Sequence, residues 1–165
     1  MTRLLAPAVA FVLAACDPVH EDAVLALGGE TPGVRPGPLH RPGQPCLLCH
    51  DGAAGDPPAF GVAGTIFDTP SSRSPVSEAD VHLTDSSGSL PRDLTTNAAG
   101  NFYVPANEWT PQFPLSVAIK PPSGRDVFMH TLANDGSCAT CHTDPAGPDS
   151  PGHVSVVLDD GGTPL

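Results

Sequence analysis

The chain has 165 residues, enough for one compact domain with extensions, and its seventeen glycines and twenty-one prolines make up nearly a quarter of it. A net charge of −11 excludes a grip on nucleic-acid phosphates or a polybasic hold on anionic lipid, and suits an exported protein kept apart by self-repulsion. With one Trp, one Tyr and six Phe there is little bulk for a large apolar core, and the recurring prolines disfavour long helices, so something besides side-chain burial must help to hold the fold.

The first residues read as a targeting segment. Arg3 supplies a positive start, and the apolar run over residues 4–13 is too short to anchor stably across a bilayer. It leads into "LAAC", residues 13–16, which resembles the bacterial lipobox. The resemblance implies a lipoprotein signal peptide over 1–15 and lipidation of Cys16 as the first mature residue. The alternative is an ordinary signal peptide that leaves Cys16 as a free thiol. Cysteine arithmetic favours the lipobox: five is odd, and setting Cys16 aside leaves two pairs.

Residues 16–38 are rich in Gly and Pro without sustained periodicity, which predicts a spacer with His20 in solvent. Residues 39–58 carry "CLLCH" (46–50) among turn residues. From residue 59 to about 132 the pattern becomes one of short strands. "VAGTIF" (62–67) is apolar and β-branched, while "ADVHLT" (79–84) and "LSVAIK" (115–120) alternate apolar and polar residues, the period of half-buried strands. "NFYV" (101–104) and "VSVVL" (154–158) are shorter candidates, and "RDVFMHTL" (125–132) is a weaker one. "DSSG" (85–88) and "NAAG" (97–100) supply turns. The expectation is a mainly β fold built on a small antiparallel β-sandwich.

"GTIFD", "ADVHLTDSSG", "TTNAAGNFYVP" and "LSVAIKP" together resemble the carboxypeptidase regulatory-like, prealbumin-like β-sandwich over roughly residues 60–122. The marks are a glycine-led first strand, a V-x-L strand ending in Asp, and a T-x-x-x-G-x-F/Y element matched by Thr96, Gly100 and Phe102. The connection over 69–78 is longer than in the shortest family members. The resemblance implies a structural or adhesive module rather than catalysis.

Residues 133–165 hold the second cysteine motif, "CATCH" (138–142), and the terminal strand candidate. Two cysteines at i and i+3 fit on one side of a single turn, and a histidine placed directly after them projects its imidazole over the space between the sulfurs. That spacing signals c-type haem attachment. The pair of motifs resembles those of multihaem c-type cytochromes. The resemblance implies two covalently bound c-type haems, one on Cys46 and Cys49 with His50 on the iron, the other on Cys138 and Cys141 with His142 on the iron. The fold expected is thus a sandwich flanked by two loop or short-helix haem-binding segments. A four-cysteine zinc site is the main competitor, but 88 residues separate Cys49 from Cys138, far beyond the usual spacing between zinc pairs, and two trailing histidines would be coincidence. Local disulfides or a thioredoxin-like pair lack the strand–helix alternation that such a redox fold needs.

An iron held on one face needs a sixth ligand for low-spin electron transfer. His40 lies six residues before Cys46 and His130 eight before Cys138, a parallel placement that favours these two. Met129 and His153 are weaker candidates, and His82 falls on the polar face of the clearest strand. No phosphate loop, nucleophile elbow or HExxH stands anywhere in the chain. The expected role is an electron carrier in the cell envelope, lipid-anchored on the periplasmic side or at the outer membrane or cell surface, with redox proteins as partners and no nucleic acid. A small haem enzyme with one open iron, and an envelope-binding module with structural or sensory haems, remain as alternatives.

Overall fold

The computed structural model describes residues 18–30, 32–53, 57–88 and 91–157; the expectations for residues 1–15 and Cys16 fall outside them. The fold is mainly β, as the alternating segments predict. Strands β1 (Phe60–Thr65) and β4 (Asn101–Pro105) pair antiparallel as one sheet. The second sheet runs β3 (Arg92–Thr95), β2 (Asp80–Thr84), β5 (Ser116–Lys120), β6 (Val127–Phe128), every neighbour antiparallel.

The two sheets close on one core. Val81 and Leu83 of β2 are fully buried, while Asp80, His82 and Thr84 between them stay part-exposed, which is the period-2 pattern of a strand with one wet face. Val62, Phe102, Val104, Leu115 and Ile119 complete the cluster with Ile66 and Ala79. The 97–100 turn that launches β4 is closed by Gly100 N–H to Asn97 O (2.8 Å), with Gly100 at φ +72° in the left-handed region that glycine enters without strain.

β1 differs from the other strands. Its residues 62–65 are buried on both faces, because chain from both ends of the molecule packs along it. Ala63 N–H donates to Gly136 O (2.9 Å), and Ala63 bridges Ser137 in parallel. Beyond the strand, residues 154–157 run alongside Phe67 and Asp68: Phe67 N–H donates to Val154 O (2.9 Å) and Val156 N–H to Phe67 O (3.1 Å).

Three expectations change. The 16–38 spacer contains helix α1 (Pro18–Ala26), on which His20 is part-buried and engaged rather than free in water. Proline at the first helical position loses no hydrogen bond there, so the Pro-rich composition did not forbid a short helix. The 154–158 strand is reduced, within the described residues, to an isolated parallel bridge between Ser155 and Phe67, since it meets only the short 67–68 stretch. Of 125–132, only Val127–Phe128 pairs. β3 was not foreseen; "RDLT" has no apolar alternation because it is an exposed edge strand.

Leu83 sits at 0 % exposure in the middle of the core. Leu83→Ala is expected to destabilise the protein by roughly 2–5 kcal/mol, read as a lowered midpoint in chemical denaturation followed by circular dichroism.

Candidate functional site

Each cysteine motif folds into one turn: α2 (Cys46–Cys49) and a 3-10 turn (Cys138–Thr140). The two turns close alike, with His50 N–H donating to Cys46 O and His142 N–H to Cys138 O, both at 2.9 Å. The imidazoles are held alike as well. His50 Nδ1 lies 2.9 Å from Pro58 O, and His142 Nδ1 lies 2.9 Å from Gly152 O. A carbonyl can only accept, so Nδ1 carries the proton in both rings, which makes Nε2 the lone-pair nitrogen of the neutral imidazole. Burial, opposed by the Gly152 bond, lowers the pKa of His142, which favours the neutral ring that coordinates metal.

The four described cysteines are free thiols. Burial raises Cys46, and Cys138 is pushed up to about 12, first by burial and then by the neighbouring Cys46 and Asp135. That Cys46 acts on Cys138 places the two motifs next to each other. An open, largely apolar groove of about 320 Å³ joins them, lined by Pro45, Leu47 and Leu48 from the first and Asp135, Ser137 and Thr140 from the second. Gly64 of β1 makes the approach of the second motif feasible: a Cβ there would stand 2.8 Å from Cys138 Sγ and 2.9 Å from the Phe102 ring.

Strands β1 and β4 also fix the first motif. Phe60 N–H donates to His50 O (2.8 Å), and a row of rings runs outward, His50 tilted against Phe60 (4.6 Å) and Phe60 stacked on Tyr103 (4.7 Å). Gly43 N–H donates to Thr65 Oγ1 (2.8 Å), and the Asn101 amide donates to His40 O (3.0 Å) and Pro38 O (3.2 Å). The loop that carries His40 is thereby tied to the sheet.

The sixth-ligand candidates separate. The His40 ring centroid lies 5.9 Å from that of His50. Two imidazoles sharing one ion through bonds of about 2 Å stand about 6 Å apart, centroid to centroid. His130 is exposed on the bend after β6, at the edge of the other sheet, and Met129 beside it is part-buried. His153 is buried at 6 % exposure, stacked on Phe67 (4.1 Å), with Nδ1 bonded to Ser72 O (2.7 Å), and it lines a narrow cleft with His142, Cys138 and Gly43. His82 pairs across the strands with Asp93 (2.5 Å), in keeping with its place on the polar face. Thr65, Asn101 and Phe60 had no signal in the sequence as site residues, and Gly64 had one only as the glycine that leads the first strand, because each acts through a neighbour brought close only by folding.

The residues present fit a covalently attached porphyrin: paired reduced thiols on one turn, an imidazole after each pair whose Nδ1 is held by a backbone carbonyl, and an apolar groove between. Among the described residues no three or more His, Cys, Asp or Glu side chains converge on one point. The chain matches no family model, no curated protein and no solved structure.

Burial, with the neighbouring Cys46 and Asp135, pushes the Cys138 thiol up to about 12, so it stays protonated and poorly nucleophilic at pH 8. In the reduced apo-protein, iodoacetamide at pH 8 is therefore expected to label exposed Cys141 first and Cys138 last, with Cys138 catching up only after denaturation, as read by peptide mass spectrometry.

Proposed function

We propose that this chain is a lipid-anchored dihaem c-type cytochrome that carries single electrons in the bacterial cell envelope. The observation that supports the reading best is the duplicated geometry of the motifs. In both, an i, i+3 pair of free thiols is followed by a histidine whose Nδ1 proton is taken by a backbone carbonyl at 2.9 Å. Metal-bound histidines are regularly held in this way, since the second bond fixes both tautomer and ring direction.

Haem, when bound, supplies a one-electron iron couple whose potential depends on its axial ligands and on burial. The chain contributes the rest. Cys46 with Cys49, and Cys138 with Cys141, hold the two groups by thioethers, and His50 and His142 present Nε2 to the irons. His40, whose ring lies 5.9 Å from that of His50, would help to hold the first group. The adjacency of the two motifs on β1 supports electron exchange between the centres. For the second centre His130 and His153 are the ligands to test; burial and the Nδ1 bond favour His153, whereas His130 has only its spacing. The apolar porphyrin faces also compensate for the shortage of large side chains. The surplus of carboxylates suits basic redox partners, with contacts that weaken in salt.

Among the described residues no helix is long and apolar enough to cross a membrane. Membrane attachment in this proposal rests on a lipid at Cys16, and Cys16→Ser is expected to move the protein from the membrane fraction to the soluble fraction.

The deciding measurement is a pyridine haemochrome assay with intact mass on protein from a host that matures c-type cytochromes. Two haems per chain are expected, and one in the Cys46→Ala/Cys49→Ala variant. A ferrous spectrum that carbon monoxide leaves unchanged is the electron-carrier result. A ready shift marks an open iron and favours the enzyme or sensor reading. Colourless protein ends the haem reading.

A further inference from the structure

The stretch that follows the second cysteine motif has little regular structure of its own. Residues 143–153 hold no helix or strand beyond a bridge between Gly147 and Ser150, with Ser150 Oγ bonded to the Thr143 backbone. Yet this stretch supplies Gly152 O, the carbonyl that accepts from His142 Nδ1 (2.9 Å). At the first motif the matching carbonyl, Pro58 O, comes just before β1, and Phe60 of that strand bonds back to His50 O. At the second motif no strand follows so closely among the described residues. Gly152 is held instead by the connection between β1 and β2.

That connection turns back on its own start: Asp68 N–H donates to Ser74 O (3.1 Å) and Val76 N–H to Ile66 O (2.9 Å). Three bonds reach from it to the stretch after the motif. Pro70 O accepts His153 N–H (2.8 Å), Ser72 O lies 2.7 Å from His153 Nδ1, and Arg73 Nη2 donates to Asp144 Oδ2 (2.6 Å). Gly152 is buried against the same loop at φ +85°, where a side chain would be strained, and a Cβ there would stand 2.6 Å from Pro70 O. Its backbone therefore touches the loop on one side and the His142 ring on the other. We infer that the loop over residues 69–75 is the positioning element of the second centre, with Gly152 as the joint through which it aims the His142 ring. The inference rests on the haem reading above and deepens it. It gives a task to the connection that is longer than in the shortest members of the family the sandwich resembles. A carbonyl that accepts from the far nitrogen of a ligating imidazole makes the ring a stronger donor, so displacing Gly152 O weakens that donation.

The test compares Gly152→Ala and Arg73→Gln in the full dihaem protein. Haem content is measured first by pyridine haemochrome, then each midpoint potential by redox titration, then the solvent exchange of the axial-histidine ring protons by proton NMR. The Cys46→Ala/Cys49→Ala variant assigns the signals of the second centre. Gly152→Ala, which presses a methyl group on Pro70 O, is expected to retain two haems, raise the potential of the second centre, speed exchange of the His142 ring proton and leave the first centre alone. Arg73→Gln breaks an ion pair whose arginine is largely exposed, so the fold is expected to stand and that exchange to rise by only about fivefold or less. An unchanged second potential in Gly152→Ala overturns the proposal, as do equal shifts at both centres, which show a general loosening of the fold. Should Gly152→Ala carry only its first haem, Arg73→Gln decides: faster exchange at the second ring than in wild type upholds the proposal, and wild-type exchange overturns it. Wild-type protein without haem fails the haem reading itself, which the haemochrome step reports separately.

Discussion

Strand β1 is the constraint on which the molecule depends. One face of it contributes Val62 to the core, while its edge and outer residues receive both cysteine motifs. Phe60 and Thr65 take the first motif by backbone and hydroxyl bonds, and Ala63 takes the second through Gly136. A two-stranded sheet would otherwise expose a row of unpaired amides and carbonyls. Here those groups are used to dock the two cysteine segments, so sheet stability and the geometry of the motifs are one property.

The same economy is visible in the histidines. His50, His142 and His153 each place Nδ1 on a backbone carbonyl of a loop, at 2.7 to 2.9 Å. The loops are rich in Pro and Gly, whose backbones adopt the sharp paths that aim carbonyls inward, and a ring so fixed has little orientational freedom left to lose. The glycine and proline content that reads as a deficit of core is therefore also the material of the site. Gly64 adds a second use, since only a residue without a side chain lets Cys138 lie against β1.

The strands with clear alternation, β2 and β5, were legible because one face meets the core and the other meets water. β4 was legible from its turn and aromatic residues. β3 and α1 were not, for the reason that edge position and a short Pro-led helix leave no periodic trace. The cysteine motifs were legible as turns because their spacing is local. The parallel spacing of His40 and His130 before each motif was a weaker guide: His40 is drawn to His50 by Asn101, whereas His130 sits on the edge of the opposite sheet.

By itself, then, the sequence determined the β class, the two CxxCH turns and the histidine that follows each pair, because all of these depend on residues within a few positions of one another. Only the tertiary structure decided that both motifs share β1, that a groove joins them, and that His153 is buried and His130 exposed. These are meetings between segments up to a hundred residues apart, and the energy that brings them together is core burial and backbone pairing, to which no single stretch of chain holds the key.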